Sequence, residues 1–159
     1  SLCLPEDLWH GLNEPVITEI DGQPVEITIL EVTPDTINVG YEYAIEVQLT
    51  IVRMNIRNLS DASINLSMNG ILDAKNEWDT VEDLATRETR LINISSEEVS
   101  LDAGNSIEII AEWVLYFDYT PYYMLYMTIN ANEDIVGLVR VRPNTLFFRL
   151  PITFPDVDN

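Results

Sequence analysis

From Tyr41 to Ile51 apolar and polar side chains alternate almost without a break. Tyr41, Tyr43, Ile45, Val47, Leu49 and Ile51 fall on one side, and Glu42, Glu46, Gln48 and Thr50 on the other. Only an extended strand sends every second side chain to the same face, so this stretch specifies a long, half-buried β-strand. At Val52, Met54 and Ile56 the apolar residues change phase, with Arg53, Asn55 and Arg57 now opposite them. A flip of this kind predicts a β-bulge, or a strand that crosses from one sheet to another.

The same period of two recurs at Ile64, Leu66 and Met68, at Ile107, Ile109, Ala111, Trp113, Leu115 and Phe117, and at Tyr123, Leu125, Met127 and Ile129. Val16 to Ile20, Val25 to Leu30, Ile135 to Val141 and Leu146 to Thr153 are further strands. Asp21-Gly22 separates the first two of these as a two-residue type I′ hairpin loop would, because both residue types accept positive φ. Asn38-Val39-Gly40, Asp102-Ala103-Gly104-Asn105, Thr120-Pro121 and Arg142-Pro143-Asn144 supply other breaks. Roughly eight to ten short strands at this spacing predict an all-β fold, an antiparallel β-sandwich of immunoglobulin-like or jelly-roll type. Two segments leave the pattern. Pro5 to Gly11 reads as a single helical turn, and Asn76 to Thr86, with Trp78, Val81, Leu84 and Ala85 at helical spacing and Asn76 as its cap, as one short helical insertion.

At 159 residues and 47% hydrophobic content, the chain has enough apolar material for one core. Residues 1–159 are therefore read as a single domain. Acids outnumber bases by 27 to 8, a net charge of −19, and the only lysine is Lys75. Such a surface repels phosphate backbones and anionic lipid, which excludes nucleic acid as a partner. Disorder is excluded as well, because only 22% of the residues are charged. Trp113 to Phe117 is typical of the unbroken apolar runs, far short of the ~20 residues of a membrane span, so no transmembrane segment is expected. Because the sequence starts at Ser1 and not Met, an upstream segment such as a signal peptide is expected, with an extracellular or cell-surface location. The lone Cys3 permits no disulfide within the chain and is read as an incidental or buried thiol.

Catalysis finds little support. His10 is the only histidine and has no motif around it, so a triad lacks its base and no catalytic residue is assigned; His10 is read as a surface or capping residue. No Cys/His cluster offers zinc ligands. Calcium, which takes loop carboxylates and carbonyls, is better served by the run Asn130, Asn132, Glu133 and Asp134, although that run lacks the pattern of an EF-hand and reads first as a plain polar hairpin loop. Aromatic residues crowd between Trp113 and Tyr126. Alternation sends Trp113, Phe117, Tyr123 and Leu125 inward and leaves Tyr116, Tyr122 and Tyr126 on the opposite face. A tyrosine row there suits sugar stacking or a subunit interface, unless protein covers both faces. Three N-glycosylation motifs begin at Asn58, Asn65 and Asn93; Asn58 is placed just beyond a strand and Asn65 on an exposed strand face.

Val32-Thr33-Pro34, Asn38-Val39-Gly40 and the long strand ending at Arg57-Asn58, with Val99 to Ser106 leading into Ile107 to Trp113 and then Tyr122 to Asn130, resemble the CARDB-like and related immunoglobulin-like domains of prokaryotic, including archaeal, surface proteins. The resemblance spans Leu30 to Val136. This sequence departs from the pattern by inserting Ala74 to Ile92, by lacking a Gly before Tyr122 and by adding strands at both ends. The resemblance implies a non-enzymatic adhesion, spacer or assembly module. The first expectation is therefore an extracellular structural protein, a homo-oligomer or polymer that forms a filament or layer, with residues 1–31 as an extension that pairs with a neighbouring subunit by strand donation. The alternative is a carbohydrate-binding module, adhesin or lectin-like and calcium-dependent, that takes glycans on its tyrosines.

Overall fold

A computed structural model describes residues 6–39, 45–76, 88–116, 120–130 and 144–154. Cys3, Tyr41, Tyr43, Phe117, the strand predicted at Ile135 to Val141 and the predicted helix beyond Asn76 lie outside these residues.

After a 3-10 turn at Glu6–Leu8 come β1 (Trp9–His10), β2 (Val16–Ile20), β3 (Gln23–Val39), β4 (Ile45–Asn58) and β5 (Ile64–Ser67). A four-residue helix, α1 (Met68–Ile71), leads into β6 (Leu72–Asn76). Then follow β7 (Glu88–Ile94), β8 (Glu98–Leu101), β9 (Ser106–Tyr116), β10 (Tyr122–Ile129) and β11 (Leu146–Thr153). Among the described residues these strands form a four-stranded sheet in the order β1-β11-β10-β6, a five-stranded sheet in the order β2-β3-β4-β9-β7, and a small β5-β8 pair. All pairings are antiparallel except that of β1 with β11. The architecture is an antiparallel β-sandwich.

Both large sheets turn one face to a common core. Val25, Ile27 and Ile29 of β3, Val52, Met54 and Ile56 of β4, and Ile109 and Ala111 of β9 meet Leu125, Met127 and Ile129 of β10 and Phe148 and Leu150 of β11, all fully buried. Alternation along β10 and β11 is the reason: Tyr123, Leu125 and Met127 point inward across from Ile152, Leu150 and Phe148. The β2-β3 hairpin turns at Asp21-Gly22 with φ of 51° and 79°, as the type I′ loop requires.

The phase flip at Val52 has a different cause from the one expected. Register between β4 and β9 runs unbroken from Gln48 opposite Leu115 to Arg57 opposite Ser106, so β4 neither bulges nor changes sheet. The irregularity lies across from it, in β3, between Ile29 and Glu31. From Gln48 to Asn58 the even-numbered positions of β4 are buried, and the first two of them are polar, Gln48 and Thr50. The odd-numbered Val47 and Leu49 join Val114 in a second, smaller cluster on the other face of the same sheet.

Gln48 and Thr50 are satisfied by the facing sheet's side of the molecule. Gln48 Nε2 donates to the Thr120 carbonyl at 2.6 Å, and the Thr120 N–H donates to Gln48 Oε1 at 3.0 Å. The hydroxyls of Thr50 and Tyr123 share a hydrogen bond. A buried polar group left unpaired costs ~1–3 kcal/mol, so these bonds are what makes a polar inner face tolerable.

The terminal segment also departs from expectation. Strand donation by residues 1–31 needs that segment unpaired, but β2 pairs with β3 and β3 with β4 inside the same chain. Ile20, Val25, Ile27 and Ile29 are core residues. Each is worth ~1.5–3 kcal/mol of burial, and removing all four would consume much of the ~5–15 kcal/mol that holds an ordinary domain together. The segment is part of the fold. Asn76 ends β6 and bridges to β7, its Nδ2 donating to Thr89 Oγ1 at 3.0 Å; the helix it was expected to cap lies outside the described residues.

Burial pushes the Tyr123 phenol up to about 12, against a smaller opposing effect of its bond to Thr50. An unfolded tyrosine ionises near 10, so its contribution to stability is intact below that pH and is lost as the pH rises toward 12, by on the order of 2 kcal/mol. Melting temperatures measured from pH 9 to 12 should fall more steeply for the native chain than for Tyr123→Phe, which lacks the ionisable group.

Candidate functional site

The outer face of the four-stranded sheet is built from the alternate residues of β10 and β11 and from the short β1. On β10, Tyr122 and Tyr126 point outward while Tyr123 and Leu125 are core. Cross-strand register sets Tyr126 between Arg149 of β11 and Lys75 of β6. Parallel pairing sets Trp9 beside Phe147. The Trp9 ring lies 5.8 Å from Phe147, edge-on, and 5.1 Å from Tyr126 at 54°. Phe147 is thereby buried although it faces away from the core. Tyr122 remains 46% exposed.

Arg149 lies among these rings. Its guanidinium takes both carboxylate oxygens of Glu6, at 2.8 and 3.0 Å. That hydrogen bonding, with smaller contributions from the charge of Glu6 and from the phenols of Tyr126 and Tyr122, holds Arg149 above its ordinary range and Glu6 below the usual carboxylate range. Chemically the face offers flat rings with polar tips around one guanidinium, a combination suited to stacking on a sugar or to a protein contact.

The expected row of three tyrosines is reduced to two. Tyr116 ends β9 in the five-stranded sheet, opposite Glu88, whereas Tyr122 and Tyr126 belong to β10 in the four-stranded sheet. Alternation within a strand does not carry over once the chain changes sheets. The members that sequence reasoning missed are Trp9, Arg149 and Glu6. Alternation within Leu146 to Thr153 is the signal that could have placed Arg149 on the outer face, but the parallel pairing of opposite chain ends that brings Trp9 and Glu6 to that face leaves no local signal.

Of the calcium candidates, Asn130 is described and Asn132, Glu133 and Asp134 lie outside the described residues. Asn130 adopts a φ of 68°, and its Nδ2 donates to the Glu19 carbonyl at 3.1 Å and to that of Asn144 at 3.4 Å. Its side chain thus braces the end of β10 against β2 and the approach to β11. His10 Nδ1 lies 3.1 Å from Glu14 Oε1, and the Gly11 N–H donates to Glu14 Oε2. These two bonds, the His10 one foremost, lower Glu14 below its usual range.

The three glycosylation motifs separate cleanly. Asn65 and Asn93 are exposed. Asn58 is not: it is fully buried, with Nδ2 donating to the Ala62 and Leu101 carbonyls and Oδ1 accepting from the Ser60 N–H and hydroxyl. Its backbone exchanges two further bonds with the Gly104–Asn105 turn. The expectation of an accommodating strand end is corrected accordingly, because every polar atom of this amide closes a turn.

A cleft of ≈570 Å³ opens between the edge strands β6 and β7, with Lys75, Arg90, Asp73 and Glu97 on its walls and Leu91, Ile94 and Trp113 beneath. Among the described residues, no group of three or more His, Cys, Asp or Glu side chains converges as a metal site would require. No helix among them is long and apolar enough to cross a membrane.

Among solved structures, the yjhA protein of Bacillus subtilis is similar with a TM-score of 0.53 at 15% identity, over 89% of this chain and 99% of that one. The ycdA protein of Bacillus subtilis subsp. subtilis str. 168 gives 0.49 at 14% identity, with 90% of this chain matching 39% of that one. A β-sandwich protein of Clostridium difficile 630 gives 0.42 at 10%, over 87% and 90% of the two chains. No family model and no curated protein matches the sequence. At these identities the likeness to yjhA is one of fold.

Burial at Asn58 has a direct consequence. When the chain is secreted from a host that glycosylates Asn-X-Ser motifs, peptide mapping of the folded material should find glycan at Asn65 or Asn93 and none at Asn58.

Proposed function

We propose that this chain is a non-enzymatic extracellular module, of the CARDB-like and immunoglobulin-like kind, that associates with copies of itself at a cell surface through the outer face of its four-stranded sheet. The observation that carries the reading is the arrangement of Trp9, Tyr122 and Tyr126 around Arg149. Trp, Tyr and Arg are the residue types that concentrate binding energy at protein interfaces, and these occupy one flat surface. Because β2 and β3 pair within their own chain, the association proposed is face to face and not by strand donation. The acidic coat opposes stacking of subunits, so association should strengthen as salt screens it.

A second reading, glycan binding by the same face, is favoured by the presence of aromatic faces beside a guanidinium, which fits an acidic sugar as well as a protein. Calcium at Asn130, Asn132, Glu133 and Asp134 belongs to that reading.

Sedimentation velocity at ~50 mM and ~500 mM salt separates the two. Self-association that grows with salt and is lost in Tyr122→Ala/Tyr126→Ala supports the first. A native chain that stays monomeric in both, or a double variant that associates like the native chain, contradicts it. Retention of the monomer on an immobilised acidic glycan would then favour the second.

A further inference from the structure

β3 runs on well past the strand that covers its outer edge. β2 pairs with it only from Gln23 to Ile27, and the Asn13 N–H reaches on to the Ile29 carbonyl at 2.8 Å. From Glu31 to Val39, β3 has β4 on one side and, among the described residues, no strand on the other. Glu31, Thr33, Asp35 and Asn38 are exposed there. An edge of this length is a template on which the strand of another chain can pair.

Register determines which backbone groups line that edge. Antiparallel strands bond through every second residue, so the backbone groups of successive residues face opposite neighbours. The closing pair of a two-residue hairpin exchanges bonds, and here that pair is Ile20 and Gln23. Gln23, Val25 and Ile27 therefore face β2, and Ile29 continues the series by accepting from Asn13. Leu30 is the extra residue of the bulge, since Ile29 lies opposite Met54 and Glu31 opposite Arg53. One extra residue reverses the parity. Beyond it, the even-numbered Val32, Pro34, Thr36 and Asn38 carry the outward backbone groups. Two of these four offer no donor to an incoming strand. Pro34 has no N–H; with the opposite parity it would interrupt the ladder with β4 opposite Thr50, and the bulge turns its missing donor to the open side instead. The Thr36 N–H is already taken, donating to Asp35 Oδ1 at 2.8 Å. The remaining donors, Val32 and Asn38, are ~20 Å apart at the rise of an extended chain.

We propose that Pro34 and Asp35 guard this edge, keeping a second copy of the chain from adding its own β3 there. With the two donors restored, a pair of β3 edges meets antiparallel about a twofold axis and joins two five-stranded sheets into one. Asp35 acts twice, by occupying the Thr36 N–H and by adding charge where a second copy of an acidic chain would approach. The guard does not depend on what the outer face of the four-stranded sheet binds.

The test compares the full native chain with Pro34→Thr/Asp35→Ala, which restores both donors at positions that are not buried. Amide hydrogen exchange along the β3 edge is followed over a range of protein concentration, beside sedimentation velocity. In the native chain Val32 and Asn38 should exchange quickly at every concentration, and Thr36 at least ~10-fold more slowly relative to its intrinsic rate. In the double variant the edge amides, position 34 included, should slow at least ~10-fold as concentration rises, while a dimer appears in sedimentation. Protection of the β9 amides at low concentration reports that the variant is folded. Asp35→Ala alone, which keeps the proline, should speed exchange at Thr36 and so tests the cap without the double variant. Association through the outer face of the four-stranded sheet leaves the β3 edge amides unprotected, so the two proposals fail separately. The guard is overturned if the folded double variant stays monomeric with fast edge amides, if the native edge gains protection with concentration, or if Asp35→Ala leaves Thr36 unchanged.

Discussion

The sandwich depends on how β4 meets the opposite layer. A strand at the centre of a two-layer fold must give one face to the core, and along β4 that face is apolar only from Val52 to Ile56. Its earlier inner positions, Gln48 and Thr50, would each leave a buried polar group unpaired if the layers merely pressed together. They are instead bonded to Thr120 and Tyr123, at the entry to β10. Hydrophobic contact is non-directional and would tolerate sliding of one sheet over the other. Hydrogen bonds of fixed geometry do not, so this clasp sets the alignment of β10 and with it the outward placement of Tyr122 and Tyr126.

A comparable device secures the other end of the same strand. Asn58 gathers Ala62, Leu101, Ser60 and the Gly104–Asn105 turn around one amide. Between the two, β4 pairs along nearly its whole length with β3 and β9. Among the described residues charge is confined to the outside. Arg53 faces Glu31 and Glu108, and Arg149 faces Glu6, so the cations of these faces are used to offset acids that would otherwise repel one another.

The strands with clear alternation were legible because period two is a direct consequence of strand geometry; β11 was anticipated residue for residue, and the Asp21-Gly22 turn by its tolerance of positive φ, whereas β1, β6, β7 and β8, short or lacking clean alternation, were not anticipated as strands. The phase flip in β4 was misread for a physical reason. Periodicity reports which side chains are apolar, and in β4 both faces are covered, so Val47 and Leu49 lie with Val114 away from the main core while Gln48 and Thr50 enter it. Sequence cannot distinguish a strand that turns over from one whose two faces are both buried. Asn58 was misplaced because its decisive partner, the Leu101 carbonyl, is 43 residues away. Trp9 went unrecognised for the same reason, its partners Tyr126 and Phe147 coming from the far end of the chain.

Amide hydrogen exchange at Thr120 tests the clasp most directly. Thr120 precedes β10, and its N–H is bonded to the Gln48 side chain. Exchange at this amide should therefore be slow in the native chain and at least ~10-fold faster in Gln48→Ala, with the core amides of β9 still protected. Fast exchange at Thr120 in the native chain, or protection unchanged by the substitution, would contradict the account.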